Sequence, residues 1–351
     1  MASTEYNSAL GTGSALGTGS DLGTGSDLGA GSERVQPSFG DPGDVDGRTL
    51  HYGEFYGVVD PPSSDDRPVL LVWGNCQAEA LRIVLSGSAD LPYRTVRVPP
   101  VHELTLSDMP YVERLLDSTA VLVSQPVRAG YRDLPIGTAD LTGAHNAPAK
   151  SIVWPVVRYG GLFPFQVIVR HPGRPSAVPA GVPYHDLRTV LGVSVGAPDA
   201  FWNIDVAAER FRHAAEWSVE QLARRERRDC DVVVSDVLLQ LGDRAAHTIN
   251  HPGNAVLATL GSRIVHELGS GAPVLPDREL LGNIRSPLDR RVLDALGLDV
   301  PARAAWAVNG RLFGQKEIHQ VQTQWYGEHP EFVEAALARY GELVDILGLA
   351  S

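Results

Sequence analysis

Five consecutive apolar residues, Val69-Leu70-Leu71-Val72-Trp73, run directly into Gly74-Asn75-Cys76 and then into a stretch that reads as a helix over 77–85. So short and β-rich a run predicts a strand buried on both faces, the form strands take in a parallel sheet. The pattern repeats, with expected strands at 94–98, 120–124 and 151–154 and a helix at 107–116. Strands alternating with helices predict an α/β fold with a parallel sheet flanked by helices. Further along, residues 201–227 read as one long helix ending in Arg224-Arg225-Glu226-Arg227-Arg228, a solvated last turn. A buried element is expected at 230–235 and helices at 255–268, 289–296 and 330–347, so the second half is predicted to be mainly helical.

Upstream of Pro68 the pattern is different. Between Ser8 and Ser32 a six-residue unit repeats, Ser-Ala-Leu-Gly-Thr-Gly passing into Ser-Asp-Leu-Gly-Thr-Gly, with too little apolar area to form a core. Its Gly-Thr-Gly units do not make a dinucleotide fingerprint, since no strand precedes them and no helix follows. The expected organisation is a disordered tail over 1–45, a linker and clasp over 46–67, and a single α/β domain over 68–351. The clasp is the aromatic-rich segment 51–57, suited to docking on the domain.

Composition narrows the function classes. With 43% hydrophobic residues the chain has enough apolar surface for a large core, and a net charge of −12 argues against a nucleic-acid or anionic-lipid partner. Lys150 and Lys316 are the only lysines among 30 basic residues, and the guanidinium forks that make up the rest suit phosphate groups. Two cysteines in unlike settings, Cys76 and Cys230, make neither a disulfide framework nor a zinc site. No leader-like or membrane-spanning run is present, so a cytoplasmic location is expected.

Cys76 is the first candidate for chemistry. It sits where a strand delivers the chain to a helix N-terminus, whose free N–H groups and dipole favour a thiolate and can hold an oxyanion. Its pKa is therefore expected to be depressed. Asn75 and Gln77 place amides beside the thiol, as oxyanion donors or as ties for the turn. For a base, the Asn250-His251-Pro252-Gly253 segment offers a histidine on a turn-stiffened loop, with Asn250 as a positioning residue. His247 and His251 are four apart, but Pro252 turns the second away from helical geometry and the Glu of the zinc-protease motif is missing, so no metal is expected. Gln125-Pro126 closes the third strand just as Cys76 follows the first, which places both along the carboxyl edge of the sheet. Arg128, Tyr131, Arg132 and Arg158 are candidate phosphate contacts, and Trp154-Pro155 with Tyr159-Gly160 a candidate ligand wall.

Taken together, Gly74-Asn75-Cys76-Gln77, Ser124-Gln125-Pro126 with Tyr131-Arg132, Pro155 with Tyr159-Gly160 and Pro164, and Asn250-His251-Pro252 resemble the WcbI-type polysaccharide biosynthesis acetyltransferases over roughly 68–268. The resemblance implies a Rossmann-like domain that binds coenzyme A or acetyl-CoA as co-substrate and acetylates a sugar in capsule biosynthesis. Cys76 and His251 are the matching reactive residues; Gly74, Arg128, Tyr131, Arg132, Arg158 and Tyr159 would meet the cofactor. The arrangement also looks like that of SGNH-type esterases, with cysteine where serine is expected. The reading that follows is acyl transfer from an acyl-CoA donor to a sugar-like hydroxyl through Cys76, with His251 as base, or direct transfer with Cys76 only positioning the thioester. The competing readings are an esterase or thioesterase on the same framework and a non-catalytic module binding coenzyme A or a nucleotide sugar. The glycine spacing after the first strand speaks against a dehydrogenase.

Overall fold

The computed structural model describes residues 46–60 and 65–349; the expected tail over 1–45 lies outside them. Two short helices, α1 (Gly47–His51) and α2 (Gly53–Tyr56), precede the alternating region. That region comprises β1 (Val69–Trp73), α3 (Cys76–Ser86), β2 (Arg94–Thr95), α4 (Met109–Asp117), β3 (Thr119–Ser124), α5 (Thr138–Thr142) and β4 (Lys150–Val153). The four strands form one parallel sheet in the order β2-β1-β3-β4. Strand order therefore reverses between β1 and β3, and the loops leaving their carboxyl ends diverge to leave a crevice where open α/β sheets take ligands.

The apolar run behaves as its composition predicts. Leu70 and Val72 face a layer containing Leu81, Leu85, Val256 and Leu260, while Val69, Leu71 and Trp73 face a second layer with Val112, Leu115 and Leu116. Phe55 and Tyr56 of α2 are buried in that second layer, and the Tyr56 hydroxyl donates to Asp108 Oδ1 at 2.8 Å.

The second strand is shorter than expected. After Thr95 the chain leaves the sheet edge, passes through Pro99 and Pro100, and crosses the end of β1, where the Val101 N–H donates to the Gly74 carbonyl at 2.9 Å.

Beyond the sheet come β5 (Gln166–Val167), β6 (His185–Asp186), α6 (Leu187–Ser194), α7 (Ala208–Asp229), α8 (Leu238–Leu241), β7 (Ala246–Thr248), β8 (His251–Pro252) and α9 (Asn254–Glu267). Then follow β9 (Ile284–Arg285), α10 (Arg290–Ala295), β10 (Ala305–Val308), β11 (Arg311–Gly314), α11 (Gln315–Gly327) and α12 (Pro330–Leu347). The long helix begins at Ala208, not at residue 201. Residues 230–235 form no regular element, although Val232 and Val234 are buried and Asp231 exchanges hydrogen bonds with Val153 at the sheet edge. The antiparallel sheet β11-β10-β9 and helices α6 and α11 were not expected. No helix among the described residues is long and apolar enough to cross a membrane.

Candidate functional site

The turn after β1 is built from a glycine, a cap and a buried amide. Gly74 has φ +157°, and a Cβ there would lie 2.5 Å from Gln125 Oε1, so only glycine lets that amide approach the turn. Gln125 Oε1 accepts from the Asn75 N–H at 2.9 Å, and the Asn75 side chain caps α3 by accepting from the Gln77 N–H at 2.9 Å. Cys76 is then the first helical residue. Gln77, fully buried, ties the site together: its Nε2 donates to the carbonyls of Val157 and Asn250, both at 2.8 Å. Its Oε1 accepts from the Val157 N–H at 3.0 Å and from Gln125 Nε2 at 3.1 Å. Loops from β1, β3, β4 and the Asn250-His251 segment thus converge on one side chain.

The His251 loop is held from both ends. Asn250 Oδ1 accepts from the Tyr184 hydroxyl at 2.8 Å and from Thr248 Oγ1 at 3.2 Å, and the Tyr159 N–H donates to the Ile249 carbonyl at 2.7 Å. His251 is 9% exposed, and its Nδ1 is buried with no partner among the described residues. Burial, helped by nearby His247, pushes its pKa down to about 4, so the ring is neutral at pH 7. His247 is turned elsewhere, with Nε2 3.0 Å from Glu279 Oε2.

The expected depression of the Cys76 pKa is not found. The N–H groups of Cys76 and Gln77 do favour the thiolate, but burial outweighs them and Glu103 adds to it, leaving the thiol at about 11. The sequence places the helix end but not the amount of protein around the sulfur. Glu103 was also missed, because the crossing after residue 98 carries no local pattern that brings it near Cys76. A small cavity beside the turn is lined by Gly74, Asn75, Glu79, Arg82, Pro99 and Pro100. A larger cleft, with Phe165, Arg188, Trp202 and Trp306 in its walls, is linked to the site through Tyr184, which also lines it.

The remaining candidates are not all drawn in. Arg128 is exposed in the loop after β3; Tyr131 is half-buried against the α4 layer; Arg132 is exposed and donates to the His102 carbonyl. Trp154 and Tyr159 are 0% and 1% exposed and pack in the core around the sheet. Arg158, between Val157 and Tyr159, is exposed. Far from the turn, His171, His329 and Glu331 bring ligand atoms within 4.8 Å of one another. There the His171 Nδ1 accepts from the Gly173 and Arg174 N–H groups at 3.2 and 3.1 Å, which puts its proton on the Nε2 that faces Glu331 at 2.9 Å. Within this group the closest approach is that imidazole–carboxylate contact.

The converging residues fall inside one family match. The model of the polysaccharide biosynthesis enzyme WcbI matches residues 69–273, more than half of the chain, from β1 through the Asn250-His251 loop. The chain belongs to the WcbI family. As a member it is classed with polysaccharide biosynthesis enzymes. A solved structure of WcbI, described as a novel polysaccharide biosynthesis enzyme, superposes with a TM-score of 0.65 at 18% identity, covering 80% of this chain and 98% of that one. At that identity the likeness concerns the fold. No curated protein matches the chain in sequence.

Proposed function

We propose that this WcbI family member is a coenzyme A-dependent acyltransferase that acetylates a hydroxyl of a sugar or polysaccharide precursor, with Cys76 as nucleophile and His251 as base. The observation that carries the reading is the Gln77 amide, which binds the Asn250 carbonyl and so joins the cysteine turn to the histidine loop. The solved WcbI is described as the native protein without a disulfide bond between coenzyme A and one of its cysteines, which supports a coenzyme thiol meeting a protein thiol in this family. Because burial holds Cys76 protonated at pH 7, its proton must leave as the sulfur attacks. The neutral His251 takes that proton, the Cys76 sulfur bonds to the acyl carbon, and the coenzyme leaves as its thiol on recovering the proton. An acceptor hydroxyl then gives its proton to His251, its oxygen bonds to the acyl carbon, and the Cys76 thiol is regenerated. With the Gln77 and Ala78 N–H groups held by Asn75, the Cys76 N–H is the candidate oxyanion donor at the start of α3.

The raised thiol pKa favours one second reading, direct transfer from acyl-CoA to the acceptor with Cys76 positioning the thioester. Intact-protein mass spectrometry after incubation with acetyl-CoA separates the two. An acetyl adduct that forms in the wild type, forms much more slowly in His251→Ala and is absent from Cys76→Ala supports the covalent route with His251 as base. Coenzyme A bound under native conditions with no adduct in any variant supports direct transfer. No binding and no adduct would overturn the proposal.

A further inference from the structure

A group of arginines beside the site forms no ion pair among the described residues, although the chain carries a net charge of −12. Arg158 lies one residue past Val157, the residue that exchanges two hydrogen bonds with Gln77. Two residues further on, the Gly160 N–H donates to Ser218 Oγ on α7 at 2.8 Å, so this loop rests on the helix face that carries residue 218. Arg225 is seven residues along, two turns later on that face. From α12, the Tyr340 hydroxyl donates to the Ile168 carbonyl at 3.0 Å, which brings Arg339 and Arg170 to the same region. Arg170, Arg225 and Arg339 all lie within electrostatic range of Arg158.

None of the four arginines takes part in an ion pair among the described residues, and Arg225 Nη2 is buried with no acceptor; Glu226 and Asp229 act on Arg225 only through space. The adjacent carboxylate, Glu226, is committed to the N–H groups of Val234 and Ser235 at 2.7 and 3.1 Å and to the Ser235 hydroxyl. Guanidinium groups stay charged at any working pH, so gathering four of them is unfavourable unless an anion completes the arrangement. The forked N–H donors of guanidinium groups match the oxygens of a phosphate group.

We propose that Arg158, Arg170, Arg225 and Arg339 form a phosphate-binding subsite that shares the 154–160 loop with the Cys76 turn. The subsite stands on its own geometry; only the identity of the phosphate as the 3′-phosphate of coenzyme A rests on the function proposed above.

The test is a titration of the full chain with inorganic phosphate, followed by phosphorus NMR at low ionic strength, in the wild type, Arg225→Gln and the surface double variant Arg158→Gln/Arg339→Gln. Saturable binding that weakens about tenfold or more in the variants is the expected result, as losing a charge-assisted hydrogen bond implies. The double variant alters exposed side chains, so it reports even where Arg225→Gln does not fold. No saturable binding to the wild type, or equal binding by the double variant, overturns the subsite. Calorimetry with coenzyme A and dephospho-coenzyme A then identifies the source. A wild-type preference for coenzyme A that disappears in the double variant assigns the 3′-phosphate. Phosphate binding at the cluster with no such preference upholds the subsite and removes the 3′-phosphate assignment alone.

Discussion

Replacing Gln77 with leucine tests whether one buried amide holds the site together. The leucine has a similar volume but can neither donate nor accept, so the Val157 N–H and carbonyl and the Asn250 carbonyl lose their partner, while Gln125 loses one of its two contacts. Gln77 is 0% exposed, so water does not replace what is lost. A buried backbone group left unsatisfied costs about 1–3 kcal/mol, and three such groups with incomplete additivity give about 3–6 kcal/mol. That is a large part of the roughly 5–15 kcal/mol that stabilises a domain. Urea unfolding at pH 7, followed by tryptophan fluorescence, measures it, since Trp73 and Trp154 are both buried in the layers around the sheet. Gln77→Glu is the companion variant. It keeps an acceptor but turns an oxygen toward two carbonyls, and is expected to be at least as costly at pH 7 and to recover part of the loss when acid returns a proton to the carboxyl. A Gln77→Leu loss below about 1 kcal/mol, the range of an ordinary surface change, would refute the central role given to this amide.

Asn75→Ala removes the cap of α3 and is expected to cost about 1 kcal/mol in the same unfolding assay. Gly74→Ala introduces a Cβ 2.5 Å from Gln125 Oε1 at a φ of +157°, and is expected to cost about 1–3 kcal/mol; a neutral result would show that Gln125 simply moves aside. His251 and His185 are held neutral by burial at pKa values of about 4 and 3, whereas the unfolded chain takes up these protons near pH 6.5. Stability is therefore complete above about pH 6.5 and falls as the pH drops toward 4, by about 3 kcal/mol from His251 alone, and His251→Gln should flatten that slope. Denaturant midpoints that stay level from pH 7 to 4.5 would contradict this. In a Cys230→Ser background, alkylation of unliganded Cys76 by iodoacetamide should keep accelerating up to about pH 11; an inflection at or below about 8.5 would mean that the helix end outweighs burial.

Local pattern carried much of the fold and the identity of the site. The apolar run 69–73 read as a buried parallel strand because it lacks a polar face, and such strands need cover on both sides. The Gly-Asn-Cys-Gln turn and the Asn-His-Pro loop were legible because their residue types act locally, through a glycine that admits a close neighbour, an asparagine cap and a proline-stiffened histidine. Segments whose state depends on distant partners were not legible. Two-residue strands such as β9 have no period to detect, and residues 96–98 left the sheet only because the edge strand ends where the chain crosses over β1. The 173-residue separation between Gln77 and Asn250 likewise hides their hydrogen bond from any local pattern.

The sequence by itself therefore determined the α/β class, the family resemblance and the two segments that carry Cys76 and His251. Tertiary structure alone decided that one glutamine amide joins these segments, that burial raises the thiol pKa and lowers that of the imidazole, and that three arginines from other elements come within electrostatic range of Arg158. The physical reason is the same in each case: desolvation, hydrogen-bond partnership and charge crowding depend on which surfaces meet, and those surfaces are brought together by packing, not by neighbours along the chain.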